Sequence, residues 1–410
     1  MKKLMLSAAA LMCASVMMAQ MNNSVVNQTG SGNNSDVDQT GMTNDSQVDQ
    51  NGDLNDSDVD QVGVTNLSDV EQDGDSNISV VDQLGDGNDS EVDQDGNNNS
   101  SSVTETGNGN DSFVWQDGDG NTSDVDQTGD GNSSYVDSWG DTNNSDVDQA
   151  GNNNDSDVFQ GQIGNDNDST VLQSGDDNDS DVAQIGNTNA STVLQTGNTN
   201  ISDVDQNGDT NDSFVWQDGD SNDSDVDQDG DDNSSYVDQW GDTNTSTVTQ
   251  TGNNNDSDVF QGQIGNDNWS NVFQTGDDNF SFTDQDGNDN ISEVGQIGNN
   301  NSSSVTQEGD GNISQVYQGY TGDNNISDVD QIGDNNQQYT AQVGDDNNSD
   351  TDQTGNDNFS YTYQTGFQHM STVNQLGDLN DSDVQQNGNN HTSTVNQIGN
   401  SNTSTVTQNN

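Results

Sequence analysis

One short unit recurs along the chain with a fixed period of eleven, and that period constrains the fold more than any other property. Between Asn187 and Asn211, the residues Asn189, Ser191, Val193, Gln195 and Gly197 are answered by Asn200, Ser202, Val204, Gln206 and Gly208. The pattern Asn-x-Ser-x-Val-x-Gln-x-Gly-x-x fills 35 units from Asn22 to Gln408, with Ser in its slot 34 times, Gln 33, Asn 33 and Val 31. Where Val is missing, Thr283, Thr340, Thr351 or Thr362 stands in, and all are β-branched. Fixed residues two apart project to one side of an extended chain, and the variable residues between them to the other. A period of eleven also suits a right-handed helical supercoil. Strict alternation, and a Gly with Asn or Asp at each break, favour short strands joined by Gly-x-x-Asn turns instead.

One strand per unit gives two units per rung. Stacking about 17 rungs predicts an all-β fold, a β-solenoid whose two parallel sheets face each other across a cross-β core. In that core Asn stacks on Asn, Ser on Ser, Val on Val and Gln on Gln, and amide ladders satisfy the buried polar groups. Three stretches, Phe159 to Gly164, Phe260 to Gly265 and Tyr317 to Gly322, each exceed the regular period by a pair of positions. A pair preserves the inward set where a single residue would flip it, so these are expected to be strand extensions.

Composition limits what such a stack can do. Hydrophobic residues make up 24% and the formal net charge is −72, with 44 Gly and no Pro. The lack of Pro fits a backbone in which every N–H is needed. Lys2 and Lys3 precede an apolar run from Leu4 to Met18 that closes on Ala19, which predicts a secretory signal peptide over residues 1–19 and repeats over 20–410. Both lysines and the single cysteine, Cys13, fall inside that leader, so the exported chain is expected to be a polyanion without Lys, Arg or Cys. Nucleic acid and anionic membranes are then excluded as partners, because no cation is left to meet a phosphate, and no membrane insertion is expected.

The spacing Gln39-x-Gly41-x-x-Asn44-x-Ser46-x-x-x-Gln50 resembles the curlin repeat, Gln-x-Gly-x-x-Asn-x-(Ala/Ser)-x-x-x-Gln. The longer period of that repeat equals two units here, and the likeness covers essentially the whole chain after the leader. The resemblance implies an amyloid subunit of curli, the secreted fibres of the Gram-negative biofilm matrix. It further implies export through an outer-membrane secretion pore and assembly outside the cell on a nucleator subunit.

The repeats begin almost at the leader and run to Gln408, without Pro or Lys to blunt an exposed edge. Head-to-tail self-polymerisation is therefore expected. Charge opposes it. Outward Asp residues recur two units apart, as at Asp36 and Asp58, Asp124 and Asp146, or Asp203 and Asp225. Two charges at the strand spacing repel by roughly 1 kcal/mol even in water. Stacked carboxylates are accordingly expected to have raised pKa values in the fold, with acid, salt or Ca²⁺ favouring assembly. Ca²⁺ enters only as non-specific screening of Asp columns; no cofactor and no specific metal site are expected.

Other features carry less. Asp225 to Gly230 reads like the opening of an EF-hand, but its twelfth position is Tyr236 in place of Glu. His369 and His391, the two histidines, replace Asn in units two apart and are read as substitutions within a polar column. The Asn-x-Ser sequons follow from the ladder spacing and face inward. The motif DSFVWQDG occurs at Asp111 and at Asp212, nine units apart, so its copies belong on opposite sheets; Phe113 should stack on Tyr135 and Phe214 on Tyr236. No nucleophile–base pair is apparent, so no enzyme is expected. The leading reading is a structural fibre subunit. The second is a soluble acidic β-solenoid that binds Ca²⁺, a mineral surface, or ice through threonine rows such as Thr170 and Thr192.

Overall fold

The computed structural model describes residues 21–161, 164–262, 265–319 and 322–410. The leader expected over 1–19 lies outside them. Among the described residues there are 35 strands, numbered β1 to β35 in chain order, and no helix. The chain falls into two compact units, Met1–Val136 and Asp137–Asn410.

Both units are built by one rule. Most strands run from the position after Asn to the position after Gln, as in β16 (Ala190–Thr196) and β17 (Ile201–Asn207). Burial alternates residue by residue, with Ser, Val and Gln inside and the variable slots outside. In the first unit β1 (Asn23–Thr29) pairs in parallel with β3 (Asp45–Asn51), and β2 (Asn34–Met42) with β4 (Asp56–Val64). In the second, β16 pairs with β18 (Asp212–Asp218), and β17 with β19 (Asp223–Asp229). Within each unit odd strands thus hydrogen-bond to odd and even to even in parallel, and the chain holds 18 odd and 17 even strands in all. With two strands per turn each unit is a β-solenoid, and the two together count about 17 turns, the all-β fold that the period predicts.

Register is the main finding. Ser191 pairs with Ser213, Val193 with Val215 and Gln195 with Gln217, like on like. The valines form the apolar core, and Val193 and Val204 are fully buried. Burying such a side chain contributes about 1.5–3 kcal/mol, and the slot recurs in every turn.

The three insertions are not strand extensions. The strands that precede them, β13 (Asp155–Gln160), β22 (Asp256–Gln261) and β27 (Ile313–Gln318), end at the inward Gln, one residue earlier than their neighbours. Gly161, Gly262 and Gly319 follow with φ of 72°, 76° and 81°, which breaks the strand alternation at once. The pairing offset widens by two across each insertion, as in Asp155 opposite Asp179, and like still meets like. The strands that lead into the insertions are thus shortened, not lengthened.

Candidate functional site

In this chain the repeated ladder takes the place of a pocket. Its strongest parts are the amides. Gln195 Nε2 donates to Gln217 Oε1 of the next turn at 2.9 Å, while its own Oε1 accepts from Gln173 at 2.9 Å. The same nitrogen donates to the backbone oxygen of Asp179, on the facing sheet, at 2.9 Å. Gln206 repeats this, with Gln228 Oε1 at 2.9 Å and Ala190 O at 2.8 Å. The Gln column therefore binds turn to turn and sheet to sheet with one NH₂ group. No buried hydrogen of that amide is wasted, which a polar interior requires.

The Asn column works on the backbone. The N–H of Asn189 donates to Asn167 Oδ1 at 3.0 Å, and Asn189 Nδ2 donates to Gly208 O at 2.9 Å. Asn200 makes the equivalent bonds to Asn178 Oδ1 at 3.0 Å and Gly219 O at 2.9 Å. Asn189 and Asn200 thereby tie their own turns to a Gly of the turn stacked on them. The Gly slots are sterically compulsory: a Cβ on Gly197 would lie 2.0 Å from Gly219 O, and one on Gly208 1.9 Å from Gly230 O. Their φ values of 114° and 134° are disfavoured for any other residue.

Serine differs. Ser191 Oγ and Ser202 Oγ are buried without a hydrogen-bond partner, as are most Ser hydroxyls of the column. At two of the four positions where Thr replaces Val a partner appears across the sheets: Thr283 Oγ1 lies 3.4 Å from Ser292 Oγ, and Thr340 Oγ1 3.3 Å from Ser349 Oγ, while Thr351 Oγ1 and Thr362 Oγ1 stay idle. Ser of one sheet therefore faces the Val slot of the other. The small side chain lets the sheets close on the valine at the cost of an idle hydroxyl.

Two features were not anticipated from the sequence. In most turns the residue after Gly carries a ladder: the backbone N–H of Asn187 donates to Asp209 Oδ1 at 2.8 Å, and that of Asp209 to Asp231 Oδ1 at 3.0 Å. The hydrogen bonds from Asn187, backbone first and side chain second, hold the Asp209 carboxyl below its usual range. The abundance of Asp and Asn beside Gly was the signal. The following residue sits in the left-handed region even when β-branched, as at Thr188 (φ 58°), Thr199 (57°) and Thr210 (62°).

The second is Glu105, one of the two residues that replace Gln in its slot. It is fully buried, accepts from Gln83 Nε2 at 2.9 Å through Oε2, and leaves Oε1 without a partner among the described residues. Burial pushes its carboxyl up to about 9. The side chain is therefore protonated at neutral pH and stands in for an amide.

Several carboxyls of the outward Asp columns are held above their usual range. Asp181, Asp203 and Asp225 stand in one column of the odd sheet. Burial first, and then the neighbouring carboxylates, raise Asp181 and Asp203 to about 6 and move Asp225 upward. Burial, which the sequence reading did not weigh, comes ahead of any single neighbouring charge. Asp58 is raised in the same way.

Asp225, Asp227 and Asp229 lie along the outer side of strand β19, while Tyr236 belongs to β20 (Ser234–Trp240) of the even set. The EF-hand-like run does not curl around a point. His369 is buried in the Asn column: it takes the Asn347 Oδ1 contact through its backbone N–H at 3.1 Å, and its Nδ1 accepts from the N–H of His391 at 3.3 Å. The two rings stack at 5.2 Å and 4°. This is the polar-column substitution expected from the sequence. Burial lowers the pKa of His369. The aromatic pairs also form: Phe113 on Tyr135 at 4.9 Å, and Phe214 on Tyr236 at 5.0 Å. The motif copies lie on an odd strand, β9 (Asp111–Asp117), and an even one, β18.

The spacing that these ladders impose is that of the curlin associated repeat, which matches residues 53–85, 65–96, 175–208, 202–230, 230–262 and 377–409. The chain carries curlin associated repeats over those residues. No curated protein matches it in sequence. The curlin repeat's Gln, Gly and Asn are the residues that make the turn-to-turn contacts above, so the matching pattern and the hydrogen-bonded ladder are one set of positions.

Proposed function

We propose that this curlin-repeat chain is a secreted structural subunit that stacks end to end with its own copies into curli-like amyloid fibres, in a biofilm matrix or on a cell surface. One observation carries the reading: each turn offers its neighbour the same donors and acceptors in the same register, in both units. A turn of one copy is then a fitting template for a turn of another, the arrangement that propagates cross-β structure. The role is structural, not catalytic, with no cofactor. The export pore and the nucleator suggested by the curlin resemblance are part of this reading, as is cleavage after Ala19. Purified residues 20–410, in brine or at about pH 4–5, are expected to form thioflavin-positive, detergent-resistant filaments with a meridional reflection near 4.7–4.8 Å. A chain that stays monomeric at high salt would sink the proposal.

The Asp columns favour the second reading, a monomeric acidic β-solenoid that gathers Ca²⁺ or a mineral surface. Calorimetry with Ca²⁺ on that same monomer would support it. Its ice-binding form draws on Thr170 and Thr192, which stack for two turns before Phe214 ends the row.

A further inference from the structure

Charge is distributed unevenly over the second unit. Six consecutive strands of its odd sheet, β21 (Thr245–Thr251), β23 (Trp269–Thr275), β25 (Ile291–Ile297), β27, β29 (Gln337–Val343) and β31 (Phe359–Phe367), pair in order. Their outward slots hold one carboxylate, Glu293, and Gln315 Nε2 donates to it at 2.9 Å. The remainder is Thr, Asn, Gln, aliphatic and aromatic. Over the same stretch the even sheet points nine acids outward, from Asp256 and Asp258 through Glu308 to Asp350 and Asp352. The flanking odd strands are acidic again: β19 presents Asp223, Asp225, Asp227 and Asp229, and β33 (Asp381–Asn389) presents Asp381 and Asp383.

The uncharged face is also the aromatic one. Tyr339 stacks on Tyr361 at 5.2 Å, and Tyr317 meets Tyr339 at 5.8 Å with the rings tilted by 47°. Phe273, Phe359 and Tyr363 are each more than a third exposed. Gly295, between Phe273 and Tyr317, leaves a dent of about 300 Å³ whose walls include Asn271, Glu293 and Ile297. That is room for a ring supplied from outside.

We propose that this face is a lateral docking surface for a second copy of the chain, face to face on the same six strands. The charge pattern selects the occupant. Beyond Lys3 the chain has no Lys or Arg, so no acidic face of one copy can find a complementary face on another. Copies can approach side by side only where the carboxylates are missing, and a face that meets its like forms a closed two-fold contact. The area suffices. Six strands at roughly 4.8 Å by seven residues at roughly 3.3 Å give about 660 Å² per copy, about 1,300 Å² in all, within the range of stable interfaces. Asp residues of the turns, such as Asp267, Asp289 and Asp345, edge the patch and make pairing depend on salt.

The test is a triple variant, Asn271→Asp, Gln315→Asp and Tyr339→Asp, made in slots where β17 and β19 already carry Asp203 and Asp225 and fold. The control, Thr192→Asp, Ser304→Asp and Thr372→Asp, puts the same charge on the even sheet. At about 0.5 M NaCl, the wild-type chain and the control are expected to sediment as pairs, and to give filaments of doubled mass per length. The triple variant should show a two-fold lower value on both counts, with strand circular dichroism unchanged. Single-copy values for wild type, pairing retained by the triple variant, or equal loss in the control would each overturn the proposal. So would a face that stays unpaired but binds polysaccharide or lipid vesicles. Sedimentation reads pairing whether or not filaments grow: pairs without filaments defeat only the end-to-end reading, and filaments of single-copy mass per length defeat only this one.

Discussion

A single atom decides most slots of the repeat. The Gln amide has two hydrogens, one for the next turn and one for the facing sheet, and Glu105 has only what protonation can give it. Its raised pKa means that its stabilising contribution is fully present below the ordinary carboxylate range. That contribution is lost as pH rises through about 9. Glu105→Gln is expected to raise stability by about 1–3 kcal/mol at pH 8, by satisfying the idle oxygen position and removing a buried acid. The gain should shrink at pH 4; thermal melts at the two values check it, and an equal gain at both would refute it. Glu105 was hidden in the sequence because Glu and Gln share a shape, and its isolation from water is a property of the stack. The ladder residues Asn189, Ser191, Val193, Gln195 and Gly197 were legible because one period repeats them dozens of times. Their division of labour, Asn toward backbone and Gln toward both sheets, depends on distances that no spacing records.

Strands differ mainly in what they turn outward. Those of the Asp181–Asp203–Asp225 column hold carboxyls pushed up by burial and by one another, so their folded form binds protons more tightly than the open form. Stability from this source is complete below about pH 4 and is lost as pH climbs through about 6. His369 runs the other way, since its lowered pKa makes acid unfavourable for its own strand. Amide exchange, corrected for intrinsic rates, should show β17 and β19 better protected at pH 4.5 than at pH 8, while Thr-faced β21 changes little. Equal pH dependence in all three would contradict the assignment. The strand reading itself was fully visible from alternation and turn residues. The insertions were misjudged because a pair of extra residues fits either a longer strand or a wider turn, and only the φ of Gly161 and its two counterparts decides.

At the scale of the whole chain, a net charge of −72 meets a core made of valine and amides. Repulsion between columns is spread over every turn and is screened by salt, with a Debye length falling from about 30 Å at 10 mM to about 3 Å at 1 M. The melting temperature of residues 20–410 is therefore expected to rise by several degrees or more between those salt concentrations. A flat response would mean that the carboxylates are already neutralised in the fold. Repeat arrays sum local contributions, so the effect should be largest where Asp is densest. The partition of charge between the two sheets of the second unit was present in the sequence, but it became readable only when alternate strands were assigned to separate sheets.

The glycine columns leave a consequence for variation. Because Gly197 and its equivalents admit no side chain and the inward amides are committed, mutational freedom is confined to four outward positions per strand. Those positions form a grid of fixed pitch, about 4.8 Å in one direction and about 7 Å in the other, whose content can be rewritten without disturbing what lies beneath. Selection, or an engineer, can print a new surface chemistry on the sheet one square at a time.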